Sequence, residues 1–204
     1  MNGAAATTVQ AWRHPRPVGA AGRCVGRVDL PVDRRKAKRL AHAIRRQARR
    51  DGHPRIVVTS TATRTRIVGR ILRSWGWRHR IDARLDELDF GGWDGRRWDD
   101  IGAAAVQAWC DDFAAHAAGG GESVAQLLER CARWWRARED EPAERRASCL
   151  VGHGGWVSAA RWLQAHVAGM PDAARWPAPP AYAECVALTA PAIRPAADPA
   201  ASAS

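Results

Sequence analysis

Three apolar runs in this chain end in residue types that bind and transfer anionic groups. Thr7 to Trp12 is followed by Arg13-His14-Pro15. Arg55 to Thr59 is followed by Ser60 and then Arg64. Ser148 to Val151 is followed by Gly152-His153-Gly154-Gly155. A planar guanidinium pairs bidentately with oxyanions, and imidazole changes charge near neutral pH. If each run is a strand of one α/β sheet, these side chains collect outside its carboxyl ends, where such sheets bind ligands. A helix starting after Gly155 adds backbone N–H donors. The pattern predicts an anion pocket. Asp86, Glu87, Asp89 and Asp94 lie close together in one polar stretch and compete for any acid role. Trp93 and Trp98 flank that stretch and offer flat apolar surface.

The elements that must position these residues follow from periodicity. Asp33 suits the cap of a helix running to about Arg50, with Ala37, Leu40, Ala41, Ile44 and Ala48 as its apolar stripe. Helices are also predicted over 64–75, 99–116, 122–138 and 156–167, and further strands over 79–82 and 182–188. Arg13 to Val32 reads as a Pro/Gly-punctuated loop. Strands alternating with helices give an α/β fold, a three-layer α/β/α sandwich around a central, mostly parallel sheet. The expected domain spans 1–190, with 191–204 an Ala/Pro/Ser tail expected to be disordered.

Composition narrows the classes. The 204 residues carry 32 Lys+Arg against 21 Asp+Glu, a formal charge of +11, yet all but Lys36 and Lys38 of the basic residues are Arg. This is a bias spread over the chain, and no recognition motif or zinc module accompanies it, so nucleic acid is not expected as a partner. No apolar run approaches the ~18–20 residues of a membrane span. The N-terminus has neither the basic nor the apolar region of a signal peptide. Five cysteines, odd in number and in no CxxC pair, argue against a disulfide framework and point to the cytoplasm. His42, His53, His79, His116 and His166 have no metal-ligand spacing, and neither metal nor cofactor is expected.

Taken in order, Arg13-His14, Ser60-x-x-x-Arg64, Leu85-x-Glu87-x-x-Phe90-Gly91, Gly121-Glu122-Ser123 and His153-Gly154 resemble the histidine phosphatase (phosphoglycerate mutase-like) superfamily. The resemblance covers roughly residues 7 to 165. Arg13-His14-Pro15-Arg16-Pro17, Gly26-Arg27-Val28-Asp29-Leu30-Pro31 and Glu87-Leu88-Asp89-Phe90-Gly91-Gly92-Trp93-Asp94-Gly95 resemble its α-ribazole phosphatase branch.

The resemblance implies a phosphomonoesterase without cofactor or metal, acting on a small-molecule phosphomonoester. His14 is then the nucleophile that becomes phosphohistidine, and Arg13 and Arg64 clamp the phosphate. His153 is the second imidazole donating to the transferring oxygens, and Glu87 the acid and then the base. Arg27 and Trp93 are candidate substrate contacts. The branch implies α-ribazole 5′-phosphate, or the corresponding cobamide phosphate, as substrate. The alternatives are a broad-specificity phosphatase of the same family and a catalytically weakened binding module. Two departures motivate the latter. The family's glycine after the nucleophilic histidine is Pro15, which lacks an N–H, and the next loop has no polar Asn.

Overall fold

The computed structural model describes residues 8–166 and 169–191. The predicted tail therefore lies outside the described residues beyond 191, as does Thr7, the expected first residue of the first strand. Five strands form one sheet: β1 (Thr8–Arg13), β2 (Ile56–Thr59), β3 (Arg78–Ile81), β4 (Cys149–Gly152) and β5 (Cys185–Thr189). Their order is β3-β2-β4-β1-β5. All neighbours are parallel except β5, which runs antiparallel to β1 on the edge.

Six helices accompany the sheet: α1 (Arg34–Arg50), α2 (Thr63–Ser74), α3 (Trp98–Ile101), α4 (Ala103–Asp111), α5 (Val124–Glu139) and α6 (Gly154–Ala165). The period-two alternation of the strands divides the core in two. Val9 and Ala11 of β1, Ile56 and Val58 of β2, and Leu150 of β4 pack with the apolar sides of α5 and α6. Trp12, Val57, Cys149 and Val151 face the other way, onto α1 and α2. This is the mixed α/β architecture expected from the sequence, with a mostly parallel sheet between two helical layers.

Local sequence explains most element ends. The Asp33 carboxylate accepts from the Arg35 and Lys36 amides and starts α1. Its buried residues are Ala37, Leu40, Ala41, Ile44 and Ala48, the predicted stripe. Ser123 and Gln126 form a reciprocal capping box at the start of α5. The predicted helix over 99–116 is instead two short helices. Gly102, at φ +88°, breaks it between Ile101 and Ala103. The last strand begins three residues later than predicted, because residues 181–184 form a turn with Ala183 at φ +64°.

Candidate active site

Register brings the three polar strand ends together. Arg13 pairs with Gly152 across β1 and β4, and Thr59 with Val151 across β2 and β4. The next residues along each strand are His14, His153 and Ser60, so all three leave the same edge of the sheet.

His14 is 4% exposed. Its Nδ1 lies 2.8 Å from the Pro15 carbonyl oxygen. A carbonyl only accepts, so Nδ1 carries the proton and Nε2 keeps its lone pair. The carbonyl is the group that Pro15 retains. Burial first, then the Arg64 guanidinium, pulls the His14 pKa down to about 3. His14 is therefore a neutral imidazole at neutral pH.

The ring of His153 lies 5.0 Å from that of His14, edge to face. Its Nε2 is 2.7 Å from Ser60 Oγ, and Ser60 Oγ is in turn 2.8 Å from Thr65 Oγ1. Burial, then Arg64, holds His153 far below the usual imidazole range. Its Nδ1 is buried with no hydrogen-bond partner.

Arg64 sits in the first turn of α2 and is 1% exposed. Two of its N–H groups are used structurally: Nη1 donates to the Val28 carbonyl at 2.8 Å and Nη2 to that of Gly26. Its Nε has no partner. Arg13 donates from Nη1 to the Pro180 carbonyl at 2.7 Å, and its guanidinium carbon lies 3.9 Å from the centre of the Tyr182 ring. Its Nε is likewise buried and unpartnered. Among the described residues, Arg13 Nε and Arg64 Nε are thus donors without acceptors beside the His14 imidazole, and His153 Nδ1 has no partner in either role.

Glu87 connects two cavities. The smaller, about 230 Å³, is lined by Arg64, His153, Asp29, Thr61 and Asp86 among others. The larger, about 510 Å³, is lined by Arg13, Phe90, Trp98, Trp109, Trp176 and Tyr182 among others. Glu87 lines both. Its oxygens accept from the Leu88 amide and, at 3.0 Å, from the Gly155 amide at the start of α6. A Cβ at residue 155 would press on the Glu87 carboxylate, which would have to move to admit it.

The remaining acidic residues have structural partners. Asp86 ties the loop to Thr61 through its backbone N–H and hydroxyl. Asp94 accepts from the Gly26 and Arg27 amides. Asp89 pairs with Arg27 at 3.3 Å. Arg27 lines the smaller cavity, half exposed. Trp93, a candidate substrate contact from the sequence, lines neither cavity. It is buried with Cys24 and Ala118, and its ring is edge-on to Trp109, because the tight turn over Gly91–Trp93 directs it into that satellite core. Trp98, the other flanking tryptophan, does line the larger cavity.

Sequence reading missed Arg130, whose signal was only its place eight residues after Glu122, which lies just before α5. Arg130 is buried and forks onto both Glu122 oxygens, at 2.9 and 2.7 Å. Its Nη1 donates to the Arg84 and Asp86 carbonyls. Arg130 is thus a positioning residue for the segment that carries Glu87. Among the described residues, no group of three or more His, Cys, Asp or Glu side chains is placed to hold a metal. No helix among them is long and apolar enough to cross a membrane.

A family model described as histidine phosphatase superfamily (branch 1) matches residues 10–196. Among solved structures, an α-ribazole phosphatase from Shigella flexneri is 26% identical, with TM-score 0.63 over 80% of this chain and 81% of that one. A mycobacterial glucosyl-3-phosphoglycerate phosphatase is 24% identical, with TM-score 0.67 over 82% and 87%. Bacillus stearothermophilus YhfR is 22% identical, with TM-score 0.71 over 89% and 90%. The last two likenesses show the fold alone. No match was found among curated proteins.

Proposed function

Because the chain belongs to the histidine phosphatase superfamily, we propose that it is a phosphomonoesterase working through a phosphohistidine at His14. The observation that carries this reading is the set of unpartnered buried nitrogens around that residue: Arg13 Nε, Arg64 Nε and His153 Nδ1. They suit the oxygens of a phosphoryl group, and their burial strengthens each interaction.

In the proposed reaction, Nε2 of His14 attacks phosphorus as the P–O bond to the leaving group breaks. The Nδ1–H bond to the Pro15 carbonyl fixes the tautomer for attack. Pro15 therefore preserves the orienting contact through its carbonyl. If Ser60 donates its hydroxyl hydrogen to His153 Nε2, the imidazole proton lies on the unpartnered Nδ1, ready to donate to the phosphoryl. Glu87 borders both cavities, which suits an acid that protonates the departing oxygen. Water then attacks phosphorus as the P–N bond to His14 Nε2 breaks, its proton passing to the Glu87 carboxylate; inorganic phosphate leaves and the His14 imidazole is regenerated.

We propose α-ribazole 5′-phosphate, or the corresponding cobamide phosphate, as the substrate. The likeness to the Shigella enzyme and the acid-loop motif support it. The 510 Å³ cavity supports it independently, since Phe90, Trp98, Trp109 and Trp176 offer flat faces to a heterocyclic leaving group. The test is kcat/KM for α-ribazole 5′-phosphate against nucleoside 5′-monophosphates and sugar phosphates. The expected preference exceeds tenfold, about 1.4 kcal/mol of discrimination. A smaller preference, with turnover intact, assigns the chain to broad-specificity phosphatases instead.

A further inference from the structure

A third cavity, of about 230 Å³, shares no lining residue with the two that Glu87 borders. It is bounded by the end of β3, the residues just after it, and the last turns of α5. Its charged lining is Arg80, Asp82, Arg84, Arg138 and Glu141, with Trp134 as an apolar wall. The charges do not cancel evenly. Arg80 forks onto Glu141 at 2.6 and 3.1 Å. Arg84 forks onto Asp82, with Nη2 at 2.7 Å from Oδ2. Both carboxylates are thereby matched.

Arg138 remains. It is 5% exposed, and its Nε and Nη1 are buried without any hydrogen-bond partner. Among the described residues no carboxylate forms an ion pair with it, although Glu141 is near enough to favour its charge, and its guanidinium carbon lies 5.7 Å from the centre of the Trp134 ring. Burial, then the nearby Arg146 guanidinium, pulls its pKa down to about 10. A buried cation in this situation is costly unless an anion accompanies it. The phosphoryl site already described does not account for it, because no residue is shared between the two cavity linings.

We propose that this cavity is a second oxyanion site, with Arg138 as its central cation and Arg80 and Arg84 at its rim, and that it takes a small tetrahedral dianion of the phosphate or sulfate class. Its volume is large enough for such an ion, and three arginines against two carboxylates leave its lining with a net positive charge. The site adjoins catalysis in sequence: Arg84 lies three residues before Glu87, and its carbonyl accepts from both Arg130 and Trp156. An ion held there braces the root of the acid loop.

The test is calorimetric titration of the full chain with inorganic phosphate, and separately with sulfate, alongside the competitive inhibition constant for phosphate. Wild type is expected to bind two equivalents. Arg138→Gln is expected to bind one, while its inhibition constant stays within twofold of wild type. Arg84→Gln, a change at a more exposed residue, leaves Asp82 unmatched at the rim and is expected to weaken the second equivalent at least fivefold. This variant keeps the test open if Arg138→Gln fails to fold. A single equivalent in wild type, or a second one insensitive to both substitutions, overturns the proposal. Failure of the phosphatase reading would appear separately, as absence of inhibition by phosphate with the Arg138-dependent equivalent still present.

Discussion

The two ends of the proposed catalytic cleft are built on different principles. At the phosphate end, His14, Ser60 and His153 leave adjacent strands in register, and Arg64 follows in the first turn of α2. Each side chain is buried and tied to backbone or to a neighbour: His14 to the Pro15 carbonyl, Arg64 to the carbonyls of residues 26 and 28, His153 to Ser60. At the leaving-group end, Phe90, Trp98, Trp109, Phe113 and Trp176 come from a loop, two short helices and the segment before β5. They meet mainly by edge contacts, such as Phe90 on Trp98 and Phe113 on Trp176. The first end fixes donors where charge develops; the second supplies area and shape. Chemistry is therefore expected to be intolerant of change, and specificity adjustable.

The largest effect expected from this contrast is on the nucleophile. His14→Ala should lower kcat at least ~10³-fold on every substrate, the scale for a group that acts with its partners as a unit. A loss confined to some substrates would blur the distinction between the two ends.

The second effect is on stability against pH. The folded His14 pKa, about 3, lies below its ordinary value of 6.5, and His153 is shifted the same way. Above pH 6.5 both states leave the ring neutral. As pH falls below 6.5, the unfolded chain takes up protons that the folded chain refuses until about pH 3, so stability is lost through that window, by a few kcal/mol at ~1.4 kcal/mol per unit. Denaturant midpoints at pH 7 and pH 4 check this. His14→Asn should flatten the slope, and Trp98→Ala should leave it unchanged.

Legibility followed the same division. The convergence of His14, Ser60 and His153 was readable because they follow strand ends, where a few consecutive positions define both the element and the side chain's place. The stripe of α1 was readable because it is strongly periodic. The apolar wall was not, since contact among Trp98, Trp109 and Trp176 depends on how two short helices and a late loop fold back, and no local spacing encodes that. Trp93 shows the error: adjacency to Glu87 in sequence suggested the wall, but the turn at Gly91 sends its ring into a small core with Cys24 and Ala118. Arg130 was equally hidden, since its partners are the carbonyls of residues 84 and 86, more than forty positions away.

A smaller effect lies at the junction of the two ends. Gly155→Ala places a methyl against the Glu87 carboxylate and should displace it, although alanine itself favours helix. Loss of a positioned acid is worth about 10²-fold or more, so a shifted one should cost ~10–100-fold on alkyl phosphates. The loss should be much less on aryl phosphates, whose leaving groups need little protonation. Equal losses would remove Glu87 from the acid role.

The smallest effect concerns specificity. Trp98→Ala should reduce the preference for an aromatic leaving group about tenfold, within the ~1–3 kcal/mol that stacking on an aromatic side chain supplies. Turnover of a simple phosphomonoester should stay within a few-fold. Trp93→Ala should do the reverse, lowering the melting temperature while leaving the preference unaltered.

The most direct test of the account is to trap the intermediate. Rapid acid-free quenching during turnover of a ³²P-labelled phosphomonoester should yield protein-bound label that is stable in base and lost in acid. Peptide mapping should place it on His14. Label on another residue, or steady turnover with no covalent label at any quench time, would contradict the proposed mechanism.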